Sequence, residues 1–365
     1  MNKKIKILIT GGGTGGHVFP AYSLANHFVE KKYVVDLITD SRGYKILKDY
    51  ENFKITKIPS SPLIKKNIFT VCCSIILNLY SVIRSLIFLI LNRPKIIFGM
   101  GGYSSFPMCI AAWILKVKFI IYENNLIIGK ANRYLLPFAK KIFVSYKELE
   151  GIPKKYNNKM FEIGNLVRKE IIYFNEKLKE KDYFDKINIL VLGGSQAAKV
   201  FAEKLPQIFK KCKKHKIDIK IYQQCLKNQN EEISLFYKNL DIDFEIFNFS
   251  NNITSYFSKV NLAITRSGAS MLAELINANL PFISVPLPTS ADNHQLKNAL
   301  YYEKKNFSYL IEEKDLENKL FNLIRSINED RSLIEKIKMN QNQYSDKNVF
   351  NNINNQIEKI LNEKN

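Results

Sequence analysis

The sequence predicts an α/β protein: two doubly wound parallel-sheet domains facing each other across a cleft. Three observations carry this. The apolar runs are short, and each is followed by a loop and a helical stretch, as buried parallel strands require. The alternation occurs twice, and in each half the first strand runs into a glycine-rich loop. The 365 residues also leave ample length for a core in each of two domains.

The first strand, residues 5–9, enters Gly11-Gly12-Gly13-Thr14-Gly15-Gly16-His17, and Pro20 opens a helical stretch. Five glycines in six positions let the backbone turn sharply and leave amide N–H groups uncovered by side chains. The positive end of the following helix dipole then suits the loop to a phosphate or diphosphate. A tight turn that binds nothing is the plainer alternative; so many glycines ending in a histidine favour an anion. Residues 34–40 read as the second strand, 42–50 as a helical piece and 53–58 as the third strand. An apolar stretch fills 68–91. Strand 95–98 follows, ending in a second glycine loop, Gly99-Met100-Gly101-Gly102-Tyr103-Ser104-Ser105. Strand 119–122 ends at Glu123-Asn124-Asn125, and strand 141–144 closes the half.

In the second half, strand 187–192 leads into Gly193-Gly194-Ser195-Gln196 and a helix. Residues 217–223, 244–247, 260–265 and 282–285 read as further strands, and the chain is helical from Lys314. The expected domains are 1–164 and 165–341, with 342–365 a C-terminal helix packing back on the first domain. The Lys/Glu-rich stretch 175–186 is a linker candidate, and Gly164-Asn165 the alternative crossing point.

The net charge of +21 comes mostly from lysine, with only eight arginines. The lysines are scattered, which fits a diffuse solvated surface first and attraction to anionic lipid second. No nucleic-acid-binding motif supports a nucleic-acid partner. Cys72 and Cys73 are adjacent, and Cys109, Cys212 and Cys225 are isolated. Without metal-ligand spacing, such cysteines fit a reducing cytoplasm. The N-terminus enters a strand at once, leaving no room for a secretory signal.

Residues 68–91 are long enough to span a bilayer. Thr70, Ser74, Asn78, Ser81 and Ser85 recur at spacings of four, four, three and four, one polar stripe with Arg84 beside it; the remaining helix face is apolar. Strands 53–58 and 95–98 should lie parallel in one sheet, so their connection must return to the same side, which a single span cannot do. The apolar excess, with Ile64, Lys65, Lys66 and Phe69 nearby, suggests a surface lying on a membrane.

Several motifs could carry chemistry. Gly11, Gly13 and Gly16 satisfy Gly-x-Gly-x-x-Gly, and Asp40 ends the second strand, the dinucleotide-binding pattern of a hydride-transfer enzyme. Against that stands the second half's own glycine loop, which a single-dinucleotide enzyme does not need. Thr265-Arg266-Ser267-Gly268-Ala269-Ser270 reads as a strand end, a turn and a helix start. Its bare amides suit a phosphate, and Glu274 one turn on could accept both hydroxyls of a ribose or merely favour the helix dipole. Asp292-Asn293-His294-Gln295 could bond sugar hydroxyls or cap a helix. Asp241-Ile242-Asp243 spells a metal-binding Asp-x-Asp, but far from every glycine loop.

Gly12-Gly13-Thr14-Gly15-Gly16-His17-Val18-Phe19-Pro20, Gly99-Met100-Gly101-Gly102-Tyr103, Gly193-Gly194-Ser195-Gln196, Arg266-Ser267-Gly268-Ala269 and Asn293-His294-Gln295 stand in this order across nearly the whole chain. Together they resemble the MurG family of peptidoglycan N-acetylglucosaminyltransferases, two Rossmann-like domains in the glycosyltransferase-B fold. The resemblance implies inverting transfer of GlcNAc from UDP-GlcNAc to the 4-hydroxyl of MurNAc on undecaprenyl-pyrophosphoryl-MurNAc-pentapeptide. It implies no cofactor and a peripheral place on the cytoplasmic face of the plasma membrane, against an anionic lipid surface. By position, Thr14, Gly15, Gly16 and Asn125 would line the cleft from the first domain. Arg168, Ser195, the backbone near Ser250, the turn Ala269, Ser270, Met271, Leu272, Ala273 and Glu274, and Gln295 would hold the donor from the second. Glu274 would take the ribose, Arg168 with the Ser195 and Ser270 turns the pyrophosphate, and Gln295 and Asn125 the GlcNAc hydroxyls.

The reaction needs a base for the attacking hydroxyl. His17 is the candidate, since imidazole is neutral and basic near pH 7; orienting substrate or capping its helix is the alternative, and Glu123 is the second candidate base. Helix N-termini and Arg168 would meet the charge of departing UDP, so no metal is required. The family usually has Gly-Asn-Pro-Val-Arg where Leu166 replaces the proline, His-Glu-Gln-Asn where Tyr122 and Asn124 stand, and glycine where Ala197 stands. A UDP-GlcNAc 2-epimerase keeps the fold with no lipid acceptor. A nicotinamide-dependent oxidoreductase and a non-catalytic nucleotide-binding protein are the remaining alternatives.

Overall fold

The computed structural model describes residues 5–48, 52–61, 68–177, 185–248, 250 and 252–362, so Ile64, Lys65 and Lys66 lie outside the described residues. The chain divides into two compact units, Met1–Arg168 with Asp346–Asn365, and Lys169–Ser345.

The first unit is built on a seven-stranded sheet: β1 (Lys6–Thr10), β2 (Val34–Thr39), β3 (Lys54–Lys57), β4 (Ile96–Gly99), β5 (Phe119–Glu123), β6 (Lys141–Val144) and β7 (Met160–Glu162). Their order is β3-β2-β1-β4-β5-β6-β7, and every pair is parallel. Apart from Lys6, the central strands β1, β4 and β5 are buried along their whole length, because helices cover both faces of such a sheet. The helices introduced here are α1 (Gly15–Glu30), α2 (Ser41–Leu47), α3 (Ile68–Asn92), α4 (Phe106–Ile114) and α5 (Lys130–Leu135). After β1 the chain builds toward one edge, and from β4 toward the other. The crevice beyond the ends of β1 and β4 is therefore the topological switch point, where open α/β sheets place ligands.

The second unit repeats the plan with β8 (Ile187–Leu192), β9 (Ile219–Gln224), β10 (Asp243–Phe247), β11 (Leu262–Thr265), β12 (Phe282–Ser284) and β13 (Tyr309–Leu310). The order is β10-β9-β8-β11-β12-β13, all parallel, with its switch point between β8 and β11.

The crossing between units falls at Arg168/Lys169 rather than at 164/165 or within 175–186, and the return falls at 345/346 rather than 341/342. Hydrogen bonds explain the shift. The Asn165 amide donates to Asp346 Oδ1 at 2.8 Å, the Leu166 amide to the Tyr122 hydroxyl at 3.0 Å, and Ser23 Oγ to the Val167 carbonyl at 2.7 Å. Residues 165–168 are thus tied into the first unit. The C-terminal helix Val349–Asn362 buries Val349, Phe350, Ile353, Ile357 and Ile360, one apolar stripe at helical spacing. On its polar side, Asn354 Oδ1 lies 2.8 Å from His27 Nε2 and Gln356 accepts from Lys141 at 2.6 Å.

Helix α3 carries its polarity inside out. Ser74, Asn78, Ser81 and Ser85 are buried, while Phe69, Ile76, Leu79, Ile83, Ile87 and Leu91 are each more than half exposed. The inward stripe is anchored: Ser81 Oγ donates to the Pro59 carbonyl, Asn78 Nδ2 to that of Ser61, and the Ser61 and Ser74 hydroxyls pair at 3.1 Å. By length and composition alone α3 could cross a membrane. It joins β3 to β4, however, parallel strands of one sheet separated by β2 and β1, and so serves as a crossover helix.

Candidate active site

In the first unit, both glycine loops leave the strands that flank the switch point. Helix α1 begins at Gly15, five positions before the expected start at Pro20, so Gly15 and Gly16 belong to its first turn. Proline inside a helix has no N–H for the carbonyl four residues back. Here Asn124 Nδ2 donates to that carbonyl, Gly16 O, at 2.8 Å. Thr14, exposed and extended at the N-cap, makes no side-chain cap bond. The helix N-terminus carries the positive end of the helix dipole, so this end suits an anionic group.

Asp40 holds the first loop closed. Its Oδ1 accepts from the amides of Gly13 and Gly43, both at 2.9 Å, and its Oδ2 from the Arg42 guanidinium at 2.9 and 3.0 Å. Burial opposes the charge, but these amides and Arg42 outweigh it and hold the Asp40 carboxyl below the usual carboxylate range. The acid of the dinucleotide pattern is therefore engaged by the protein itself. Gly13, at φ +85°, supplies the left-handed turn, and a Cβ on Gly12 would come within 2.9 Å of Ser104, Thr39 and Asp40. These glycines are explained by close packing.

The second glycine loop cradles His17. His17 Nδ1 lies 2.9 Å from the Met100 carbonyl oxygen. A carbonyl only accepts, so Nδ1 carries the hydrogen, and in the neutral ring the lone pair sits on Nε2. Gly101 and Gly102 both have positive φ, and added Cβ atoms would stand 3.0 Å and 3.1 Å from the imidazole. The ring is held in orientation as a base must be.

Glu123 has a different role. Only 2% exposed, its Oε1 accepts from the Asn125 amide and Nδ2, and its Oε2 from the Gly129 amide and Asn132 Nδ2, at 2.9–3.2 Å. Four donors occupy the carboxylate that was the second candidate base; it organises the loop after β5 and orients Asn125. Arg168, expected on the second domain, lies in the first unit, with its guanidinium over the Phe19 ring of α1 at 5.1 Å. Tyr122 is buried, which holds its phenol above the usual range, and its hydroxyl lies 2.8 Å from Ser145 Oγ.

In the second unit, Leu192 and Thr265 are register partners at the switch point, which sets the helix starts at Gly194 and Ala269 side by side. Ser195 is in the first turn of Gly194–Lys214; the side chains of 194–198, Ala197 included, lie outside the described residues. Asn298 Nδ2 donates to the Ser267 carbonyl at 3.1 Å and steadies the second turn. A Cβ on Gly268 would meet nothing within 4 Å, so that turn faces open space. Ser270 and Met271 are half-buried, whereas Leu272 and Ala273 are 0% exposed and Glu274 is 4% exposed. Leu272 and Ala273 are thus core residues whose side chains do not face a ligand. Gln295 Oε1 accepts from the Leu287 amide at 3.0 Å, just after Asp292 and Asn293, consecutive non-glycine residues at positive φ. Ser250 is half-buried beyond the edge strand β10. Arg266 is structural, bonded to the carbonyls of Val285 and Pro286 and to Glu313.

The first unit therefore gathers Thr14, Gly15, Gly16 and His17 on the first glycine loop and the start of α1, with Asn125 and Arg168 on segments bonded to that helix. The second gathers Ser195, the 268–271 turn and Gln295. The Met100 carbonyl and Asn132 escaped sequence reasoning, the first signalled only by the second glycine loop; Asp40 was singled out as the acid of a dinucleotide pattern, not as the clamp on its own loop. Asp241 and Asp243 are surface partners of Lys213 and Lys186, and among the described residues no His, Cys, Asp and Glu cluster is placed to hold a metal ion.

Residues 7–144 match the glycosyltransferase family 28 N-terminal domain, and residues 188–357 the family's C-terminal domain. A UDP-N-acetylglucosamine–N-acetylmuramyl-(pentapeptide) pyrophosphoryl-undecaprenol N-acetylglucosamine transferase of Pelagibacter ubique (strain HTCC1062) is 37% identical over 100% of both chains. Its namesake in Rickettsia bellii (strain RML369-C) is 34% identical over 87% of this chain and 90% of that one. Among solved structures, Acinetobacter baumannii MurG superposes with a TM-score of 0.76 at 21% identity, covering 98% of this chain and 100% of that one. A putative UDP-N-acetylglucosamine 2-epimerase from Listeria monocytogenes gives 0.67 at 14% identity, covering 100% and 98%. At these identities the structural likeness is one of fold alone.

Proposed function

The chain belongs to glycosyltransferase family 28, among the UDP-N-acetylglucosamine–N-acetylmuramyl-(pentapeptide) pyrophosphoryl-undecaprenol N-acetylglucosamine transferases, and on that premise we propose how its residues divide the work. It is a hexosyltransferase that moves GlcNAc from UDP-GlcNAc to the MurNAc of the lipid-linked pentapeptide. The MurNAc 4-hydroxyl attacks the anomeric carbon of GlcNAc, the new C–O bond forms as the bond to UDP breaks, and UDP leaves with the electron pair. The hydroxyl proton passes to His17 Nε2. The observation that carries this role is the Nδ1–H bond to the Met100 carbonyl, which presents Nε2 as the proton acceptor. Asn125, oriented by Glu123, meets a sugar hydroxyl. The turns at Ser195 and Ser270 take the donor diphosphate, with Glu274 at its ribose and Gln295 at its sugar. The first-turn amides of α1 take the acceptor's diphosphate, and Arg168 meets charge on the leaving side.

Two observations weigh against the alternatives. The 2-epimerase shares the fold, but the full-length sequence relatives are transferases. A nicotinamide enzyme needs its strand-end acid for a ribose, and Asp40 is bonded to Gly13, Gly43 and Arg42.

The outward apolar face of α3, with the net charge of +21, supports a peripheral seat on an anionic membrane, the helix lying in the interface rather than across it. That location also puts the enzyme where its lipid acceptor is. To test the reading, labelled UDP-GlcNAc is incubated with and without the lipid acceptor. Acceptor-dependent release of UDP is expected, with His17→Ala slowing turnover roughly a hundredfold or more. Conversion of the donor to UDP-ManNAc without acceptor would overturn it.

A further inference from the structure

Arg42 stands against the first glycine loop. It is the second residue of α2, a place where a cation opposes the helix dipole and a carboxylate is favoured. Such a breach of a local rule marks function more often than folding. The side chain is 59% exposed, yet its guanidinium is fixed. Nε and Nη2 both donate to Asp40 Oδ2, at 3.0 and 2.9 Å, and Asp40 is held in turn by the amides of Gly13 and Gly43. A Cβ on Gly13 would stand 3.3 Å from Nη2 and 3.7 Å from Cζ, so the group lies against the loop backbone next to Thr14. Asp40 takes only the Nε edge of the guanidinium. Among the described residues no other acceptor meets Arg42, and the edge formed by Nη1 and the second hydrogen of Nη2 is left open.

An open guanidinium edge is a fork for an oxyanion, matching a carboxylate or a phosphate with two parallel N–H bonds. Because Asp40 already fixes the side chain, little rotamer freedom remains to be lost when a ligand binds. The loop beneath it is the one assigned above to the acceptor, and the inference rests on that reading. We propose that Arg42 is an acceptor-recognition residue whose Nη1–Nη2 edge grips an oxyanion of the acceptor, its diphosphate or a carboxylate of its peptide. Asp40 then both closes the loop and aims the arginine. Gly13 is needed twice, for the left-handed turn at φ +85° and for the space the guanidinium fills. Arg42 touches no reacting atom in this role. Its contact is the same in the ground and transition states, so its loss appears in the acceptor KM rather than in kcat.

The test is GlcNAc transfer by the full chain as wild type, Arg42→Lys and Arg42→Gln, with the parent acceptor, a monophosphate analogue and one whose peptide carboxyls are amidated. Lysine keeps the charge and loses the fork. Arg42→Lys should raise the parent acceptor's KM on the order of tenfold by removing a charge-assisted contact, and Arg42→Gln at least as much. Donor KM should hold within about twofold, and kcat should fall far less than the acceptor KM rises. The source of the oxyanion shows in the modified acceptors. The acceptor lacking the gripped group should bind poorly to wild type and no worse to the variants, while the other keeps the full difference. The proposal is overturned if the variants raise KM equally for all three acceptors, as a loosened loop would, or leave the parent's KM unchanged. Calorimetry at saturating UDP separates the two readings, with inorganic pyrophosphate and the free pentapeptide as probes. Wild type should bind one of them on the order of tenfold more tightly than Arg42→Gln; equal binding of both probes by the two proteins refutes the Arg42 contact. Wild type that transfers nothing refutes the activity itself, and the calorimetry then decides Arg42 alone.

Discussion

Gly101→Ala tests whether the second glycine loop sets the base. At φ +83° an L-residue costs roughly 1–2 kcal/mol, and the added Cβ would stand 3.0 Å from both Cε1 and Nδ1 of His17. The ring must then give by a few tenths of an ångström, straining the bond to the Met100 carbonyl. A 1 Å misplacement of a catalytic group costs about a hundredfold, so a shift of a few tenths should cost roughly four- to tenfold in kcat. The assay is GlcNAc transfer at saturating donor and acceptor, run in the wild-type and His17→Ala backgrounds. If the alanine acts through the imidazole, it lowers kcat in the first and changes it by less than about twofold in the second. Gly102→Ala, whose Cβ would stand 3.1 Å from Cδ2, should behave alike. An equal loss in both backgrounds, or none in wild type, would refute the cradle.

Three further outcomes follow from the geometry. Glu123→Gln forces one amide N–H group against donors that now share the carboxylate; it should loosen the loop at a cost of about 1.5–3 kcal/mol and raise acceptor KM more than it lowers kcat, whereas a catalytic base would show the reverse. Ile76→Ser, Leu79→Ser and Ile83→Ser together, on the exposed face of α3, should abolish sedimentation with anionic vesicles and leave soluble-acceptor transfer and thermal unfolding unchanged. Because Asp40 is held below its ordinary pKa in the folded chain, its stabilisation is complete above the unfolded value, about 3.9, and is lost as pH falls through the lowered one; Asp40→Asn should therefore destabilise at neutral pH and remove that part of the acid transition, as followed by circular dichroism.

The sheets were legible because a parallel strand covered on both faces reads as an unbroken apolar run. Strands β1, β6 and β8 stand within a residue of their expected bounds. Strands β7 and β13 escaped notice: both are short, partly exposed edge strands without such a run. The early start of α1 depends on Asn124, 108 residues from Gly16, and the crossing point on Asp346, 181 residues from Asn165; no local window carries either. The site was legible through its glycines and His17. The roles of Asp40 and Glu123 were not, since residue type alone cannot distinguish a carboxylate offered to substrate from one filled by backbone amides.

The departures from the family pattern are also intelligible as a pair. Proline at 166 would bring no N–H. Leucine brings a buried one, which would cost about 1–3 kcal/mol unpaired. Tyr122 stands where the family usually has histidine, and its hydroxyl accepts that N–H at 3.0 Å while meeting Ser145 Oγ at 2.8 Å. The rigidity that a proline ring supplies through a fixed φ is supplied here by a hydrogen bond to β5. Tyr122 immediately precedes Glu123, so the strand that orients Asn125 also anchors the segment bearing Arg168. Two substitutions that separately weaken the resemblance together preserve what that segment needs, a fixed path from the sheet to the last residue of the first unit.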